Sequence, residues 1–164
     1  MKKYIMTIMM MIILSLTTLS GCGKEKASTS ASGVNAAEKI SSGESLKIPV
    51  KEISEKASFY SVEVDGTQME VIAVKDSDGN IRTAFNTCQI CYDSGNGYYK
   101  QEGNELVCQN CGNSFTMEQV GESAGGCNPW PILEEDKTET DSEVKISYDF
   151  LKESSDIFEN WKVN

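Results

Sequence analysis

The 164-residue chain contains no histidine. That absence removes several chemistries at once. A c-type haem attachment needs Cys-x-x-Cys-His, but the two Cys-x-x-Cys clips of this chain are followed by Tyr92 and Gly112. Zinc hydrolase sites usually rely on histidine ligands beside an open position. A true Rieske centre needs two histidines on one iron. No imidazole is available as a general base for a nucleophile.

Positive charge is also scarce. Fifteen Lys and Arg face 25 Asp and Glu, a net charge of −10. Nucleic-acid binding needs basic patches to neutralise phosphate, so it is not expected. Electrostatic adhesion to anionic lipid is disfavoured for the same reason. A negative field attracts cations and basic partners, although scattered acidic side chains mostly serve solubility. No internal repeat is present beyond the two clips.

Long apolar runs are confined to the N-terminus. Lys2 and Lys3 precede a nearly unbroken apolar stretch from Tyr4 to Leu16, and the segment ends at Leu19-Ser20-Gly21-Cys22. The run is short for a spanning helix, which needs about 20 apolar residues, so an uncleaved anchor is the weaker reading. Leucine three places before a cysteine, with small residues between, looks like a bacterial lipobox. It implies cleavage after residue 21 and diacylglycerol on the Cys22 sulfur. The expected location is the outer side of the cell membrane, anchored by lipid. Loss of residues 1–21 removes Lys2 and Lys3 and no acidic group, taking the net charge to −12.

Residues 22–47 have no aromatic side chain and are rich in Ser, Ala, Gly, Lys and Glu. Such a stretch buries little apolar surface and reads as a tether. Residues 48–164 then form one small domain. Its pattern is mainly β with little helix. Phe59, Val62 and Val64 lead into the turn dipeptide Asp65-Gly66. Met69 to Val74 reads as a strand, Asp76 to Asn80 as a turn and Ile81 to Phe85 as a third strand. The first clip is expected on the loop leaving that strand. Tyr98-Tyr99-Lys100 and Glu105-Leu106-Val107 form a hairpin delivering the second clip. Val144 to Tyr148 alternates like a strand, and Leu151 to Trp161 reads as a short helix with Leu151, Ile157, Phe158 and Trp161 inward.

The chemistry lies in the clips, Cys88-Gln-Ile-Cys91 and Cys108-Gln-Asn-Cys111, with sixteen residues between them. Four soft thiolates at this spacing point to a metal centre. Disulfides are the structural alternative outside the cytoplasm. Five cysteines remain once Cys22 is lipidated, and an odd number suits a four-ligand site better. A thiol oxidoreductase needs a lowered thiol pKa, from a helix N-terminus or a nearby cation. Between Thr83 and Asp136 the only basic residue is Lys100, while Asp93, Glu102, Glu105, Glu118 and Glu122 crowd the region. That setting fits bound metal better than free redox thiols. Zinc, a [2Fe–2S] cluster and cuprous ion all suit the donors. Met69, Met117 or Cys127 could add to a copper site, although packing is the commoner role of methionine. Cys127 lies in Gly125-Gly126-Cys127-Asn128-Pro129. It reads as an accessory ligand, a redox thiol or a small buried residue.

These residues carry a family resemblance. Ala73 to Phe85, Cys88-x-x-Cys91-Tyr92, Gly97-Tyr98, Cys108-x-x-Cys111-Gly112-x-x-Phe115 and Gly125-Gly126-Cys127-Asn128-Pro129 together resemble the FtrD-like membrane iron–sulfur proteins, over about residues 57–133. The resemblance implies an iron–sulfur or similar metal centre on Cys88, Cys91, Cys108 and Cys111. It also implies association with a membrane iron-transport complex or redox partner, with electrons passed during iron uptake. The layout is similar to a Rieske domain, with Cys91 and Cys111 where histidines would stand, and a zinc-ribbon-like arrangement is the other expectation. The resulting reading is a non-catalytic, lipid-anchored accessory of iron transport. The alternatives are a binding module stapled by structural zinc and, third, a thiol oxidoreductase.

Overall fold

A computed structural model describes residues 36–122 and 125–163. The signal segment 1–21 and Cys22 lie outside those residues. The chain runs through β1 (Glu38–Lys39), β2 (Ser45–Pro49), β3 (Ser58–Val64), β4 (Thr67–Lys75), β5 (Ile81–Cys88), β6 (Tyr99–Glu102) and β7 (Glu105–Cys108). It continues with β8 (Ser114–Thr116), β9 (Pro129–Pro131), β10 (Lys137–Glu139), β11 (Glu143–Ser147) and α1 (Tyr148–Glu153). The domain is therefore mainly β with one short α-helix among the described residues, as the sequence pattern predicts.

Three sheets form, in the orders β1-β3-β4-β5-β9, β10-β11-β2 and β6-β7-β8. The hairpin between β3 and β4 turns on Asp65-Gly66, both at positive φ (49° and 90°), with Val64 paired to Thr67. Two left-handed residues match the twist of the flanking strands, which is why Asp-Gly suits this turn.

Strand β4 pairs with β3 on one side and β5 on the other, and both of its faces are covered. Met69, Val71 and Ala73 join one core with Leu46, Ile48, Val62, Phe85, Ile146 and Leu151. Ile72 and Val74 join a second core with Ala84, Tyr99, Leu106, Val120 and three cysteines. Successive side chains point to opposite faces, so a strand covered on both sides reads as an apolar run instead of an alternation. The sheet β10-β11-β2 and helix α1 cover the first face. The sheet β6-β7-β8, which carries the second clip, covers the other.

Three expectations need correction. The proposed tether ends earlier than residue 47, because Glu38–Lys39 pairs with Val62–Glu63 and Ser45–Pro49 pairs with β11. Leu46 and Ile48 supply two of the buried side chains that make this segment a strand. Strand β5 runs three residues beyond Phe85, so Cys88 ends the strand instead of sitting on the loop after it. The extension contains a register shift between Phe85 and Cys88 against β9. Finally, the helix expected over 151–161 is shorter and starts earlier. Ser147 caps α1 by accepting from the Phe150 amide at 3.2 Å. The chain leaves the helix at Ser154 and makes a 3₁₀ turn over Ser155–Phe158. Serine and aspartate side chains compete for backbone groups in helix interiors, so Ser154-Ser155-Asp156 breaks the run. Leu151 and Phe158 are buried as expected, and Ile157 and Trp161 are packed on the first core half-buried.

Candidate metal centre

Each clip starts at the last residue of a strand. Cys88 closes β5, and Cys108 closes β7. The segment entering β6 joins them. Cys88 N–H donates to the Gly97 carbonyl at 2.6 Å, and Gln109 N–H donates to the Tyr98 carbonyl at 2.8 Å. Tyr99 is the register partner of Cys108. Gly112 ends the second clip at φ 76°, its amide donating to the Cys108 carbonyl at 2.9 Å. That left-handed conformation suits glycine.

The sulfurs converge. Cys88, Cys91 and Cys108 lie within 4.8 Å of one another, and so do Cys91, Cys111 and Cys127. Four tetrahedral thiolates at bonds of about 2.3 Å stand about 3.8 Å apart, so both sets are within metal-binding reach. All five thiols are free, and none forms a disulfide. Cys88, Cys91 and Cys108 are buried, Cys127 is half-buried and Cys111 is exposed. The site thus grades from an inner pair, Cys88 and Cys108, to an outward Cys111. Met117 belongs to the same core cluster as the cysteines, whereas Met69 packs in the core on the opposite face. Met69 is therefore no ligand.

Amide donors surround the sulfurs. The Cys91 amide donates to the Cys88 sulfur at 3.3 Å. Burial pushes the Cys88 thiol up, but the Tyr99 hydroxyl and the amides of Ile90 and Cys91 outweigh it and lower its pKa. Burial and the neighbouring Cys88 raise Cys91. Cys108 is pushed up to about 12, chiefly by burial, against the amides of Cys111 and Asn110. Cys111 is lowered by the Asn113 amide first. Cys127 is pushed up to about 12 by burial and by Cys111. Without a cation, only part of this set can ionise. The single arginine, Arg82, is engaged by Asp76 and Glu122. A bound metal would supply the missing positive charge.

Two positioning residues were not read from the sequence. Gln89, inside the first clip, accepts from the Gly125 amide at 2.8 Å and donates to the carbonyls of Asn128 and Pro129 at 3.5 and 3.4 Å. It fastens the Cys127 loop to the clip. The Tyr99 hydroxyl donates to the Cys127 carbonyl. The only sequence signal for either was proximity to a cysteine. A buried network lies behind them. Asn86 Nδ2 donates to Glu70 at 2.5 Å, its Oδ1 accepts from the Tyr99 amide at 2.7 Å, and its carbonyl accepts from Trp161 Nε1 at 2.7 Å.

This strand, clip and loop arrangement lies within residues 53–158, which match the family model described as membrane iron-sulfur containing protein FtrD-like. The chain belongs to that family. The match runs further than the sequence resemblance, taking in β11, α1 and the 3₁₀ turn beyond it. Neither the curated proteins nor the solved structures contain a match. No helix among the described residues is long and apolar enough to cross a membrane. The donor chemistry fits the group that the family description names, because clustered cysteine thiolates are the usual holders of iron–sulfur clusters.

Proposed function

We propose that this protein is a lipid-anchored accessory of iron transport, held outside the cytoplasm by Cys22. Its iron–sulfur cluster is held by Cys88, Cys91, Cys108 and Cys111. The carrying observation is the graded set of sulfurs, buried at Cys88 and Cys108 and open to solvent at Cys111. Bound there, a cluster would supply a one-electron couple. The protein's own part is to exclude water from the inner sulfurs, donate amide hydrogen bonds to them and present the outer edge. Ile90 and Tyr92, beside the first clip, are exposed large apolar side chains. They suit a docking rim for a redox or transport partner.

A second reading is a binding module stapled by zinc. It is favoured by Cys88, Cys91 and Cys108 being members of the second core cluster, where metal-binding energy becomes folding energy. The export segment also lacks a twin arginine, which suits a metal acquired after transport. Metal content of the exported protein decides between them. Iron with inorganic sulfide and visible charge-transfer absorption support the cluster. Colourless protein holding tightly bound zinc supports the staple and overturns electron transfer.

A further inference from the structure

Five thiols meet at a centre whose proposed cluster takes four. Cys88, Cys91 and Cys108 form one set within 4.8 Å, and Cys91, Cys111 and Cys127 form another. Cys111 and Cys127 therefore stand together, each within reach of Cys91 and of the other. We infer that Cys127 is a reserve ligand, which takes the place of Cys111 on the iron when that sulfur is lost. This rests on the reading that the two clips hold an iron–sulfur cluster.

The position of Cys127 is fixed from both clips. Gln89, inside the first clip, holds its loop at Gly125, Asn128 and Pro129. Tyr99, the register partner of Cys108 at the head of the second clip, donates to the Cys127 carbonyl. Outer contacts of this kind orient a ligand before it binds. The Cys127 backbone is thus tied to the same residues that carry the resident ligands.

Cys111 is the vulnerable member of the resident four. Its side chain is exposed, whereas Cys88, Cys91 and Cys108 are buried. An exposed thiolate is the first that an oxidant or alkylating agent reaches. Cys127, half-buried, is less open. The exchange itself needs no redox partner. The bond from iron to Cys111 opens and the Cys127 sulfur bonds the same iron. The proton that Cys127 gives up passes to the departing Cys111 sulfur, or to solvent where that sulfur has been modified. No electron moves, and four thiolates hold the cluster before and after.

The test uses the full chain, reconstituted with iron and sulfide in the absence of air and added thiol. Alanine variants are compared, since a serine oxygen can itself bind iron. Cys111→Ala should keep as much iron and sulfide as the wild type, with shifted iron–sulfur stretching bands in its resonance Raman spectrum. Cys127→Ala should keep both the wild-type content and the wild-type bands. The double variant should lose the cluster while matching the far-UV spectrum of the metal-free wild type. Cys111→Ala losing the cluster as fully as the double variant, or keeping it with unshifted bands, overturns the reserve role. So does a double variant that keeps the cluster, or its loss from Cys127→Ala alone. The cluster reading itself falls only if the wild type takes up no iron and sulfide, and the reserve role falls with it.

Discussion

Gly97 lies so close to Cys91 that a Cβ at position 97 would overlap the Cys91 carbonyl. The neighbouring atom is backbone and the contact falls inside the first clip, so it has little room to yield. Its own carbonyl accepts from the Cys88 amide, which places Gly97 between the two cysteines of the clip. Gly97→Ala should destabilise the domain by about 1–3 kcal/mol, the usual cost of overpacking. It should also speed metal release. Urea melts and metal retention after dialysis check both effects. An unchanged metal off-rate would show that the clip tolerates the shift.

Metal removal should loosen the molecule unevenly. Three of the sulfurs are core members with Tyr99 and Leu106 of β6 and β7, whereas β3, β4 and β11 also pack in a separate core. Chelation should therefore raise amide exchange in β6–β8 first, with the interior of β4 protected longest. Hydrogen exchange with and without metal reads this directly. Uniform loss of protection would contradict it.

Tyr99→Phe removes a hydroxyl that donates to the Cys127 carbonyl and lies beside the Cys88 sulfur. A net loss of about 1 kcal/mol is expected for one such bond. In the proposed cluster, hydrogen bonds to the ligand sulfurs set the potential, so the reduction potential should fall as well. Voltammetry of the variant is the check, and a potential equal to wild type would remove Tyr99 from that role.

The acid limb of stability should report Asp76. The Asn80 side chain, more than any other group, lowers its pKa from 3.8 to about 2, with help from the Asn80 amide and Arg82 and against the opposing effect of burial. A folded pKa below the unfolded one adds stability that is present above the ordinary value. That contribution is lost as pH falls from 3.8 through about 2. Thermal melts over this window should show the loss, and Asp76→Asn should flatten it. An identical acid limb in the variant would reject the assignment.

Leu151→Ala should cost about 2–5 kcal/mol, since the side chain is fully buried where α1 meets the first core. Its metal stoichiometry should be unchanged, because Leu151 belongs to the core on the other face of β4. Metal content measured beside a denaturant melt separates the two effects.

Much of this organisation is legible along the chain. Asp65-Gly66 marks its hairpin because two left-handed residues are needed there. Met69 to Val74 announces a strand through its apolar run. The spacing of Cys88, Cys91, Cys108 and Cys111 groups four soft donors into two clips, although it does not show that each clip begins at a strand end. These signals are local, carried by residues adjacent in sequence. The strands β1, β8, β9 and β10 carry no readable pattern because they are two or three residues long. Pairing partners, not their own periodicity, make them strands. Ser147 as a helix cap was equally silent, since a serine beside a strand end carries no distinctive pattern.

By itself, then, the sequence determined which chemistry is possible: thiolate ligation, no imidazole and a strongly acidic setting. Residue types set donor softness and charge wherever the chain goes. How the thiols divide is a matter of packing in three dimensions. It buried Cys88 and Cys108 at two strand ends, left Cys111 in solvent, and brought Cys127 to Cys91 and Cys111 through Gln89 and Tyr99. Those contacts join residues far apart along the chain, and packing between sheets, which no local pattern encodes, set the distances between them.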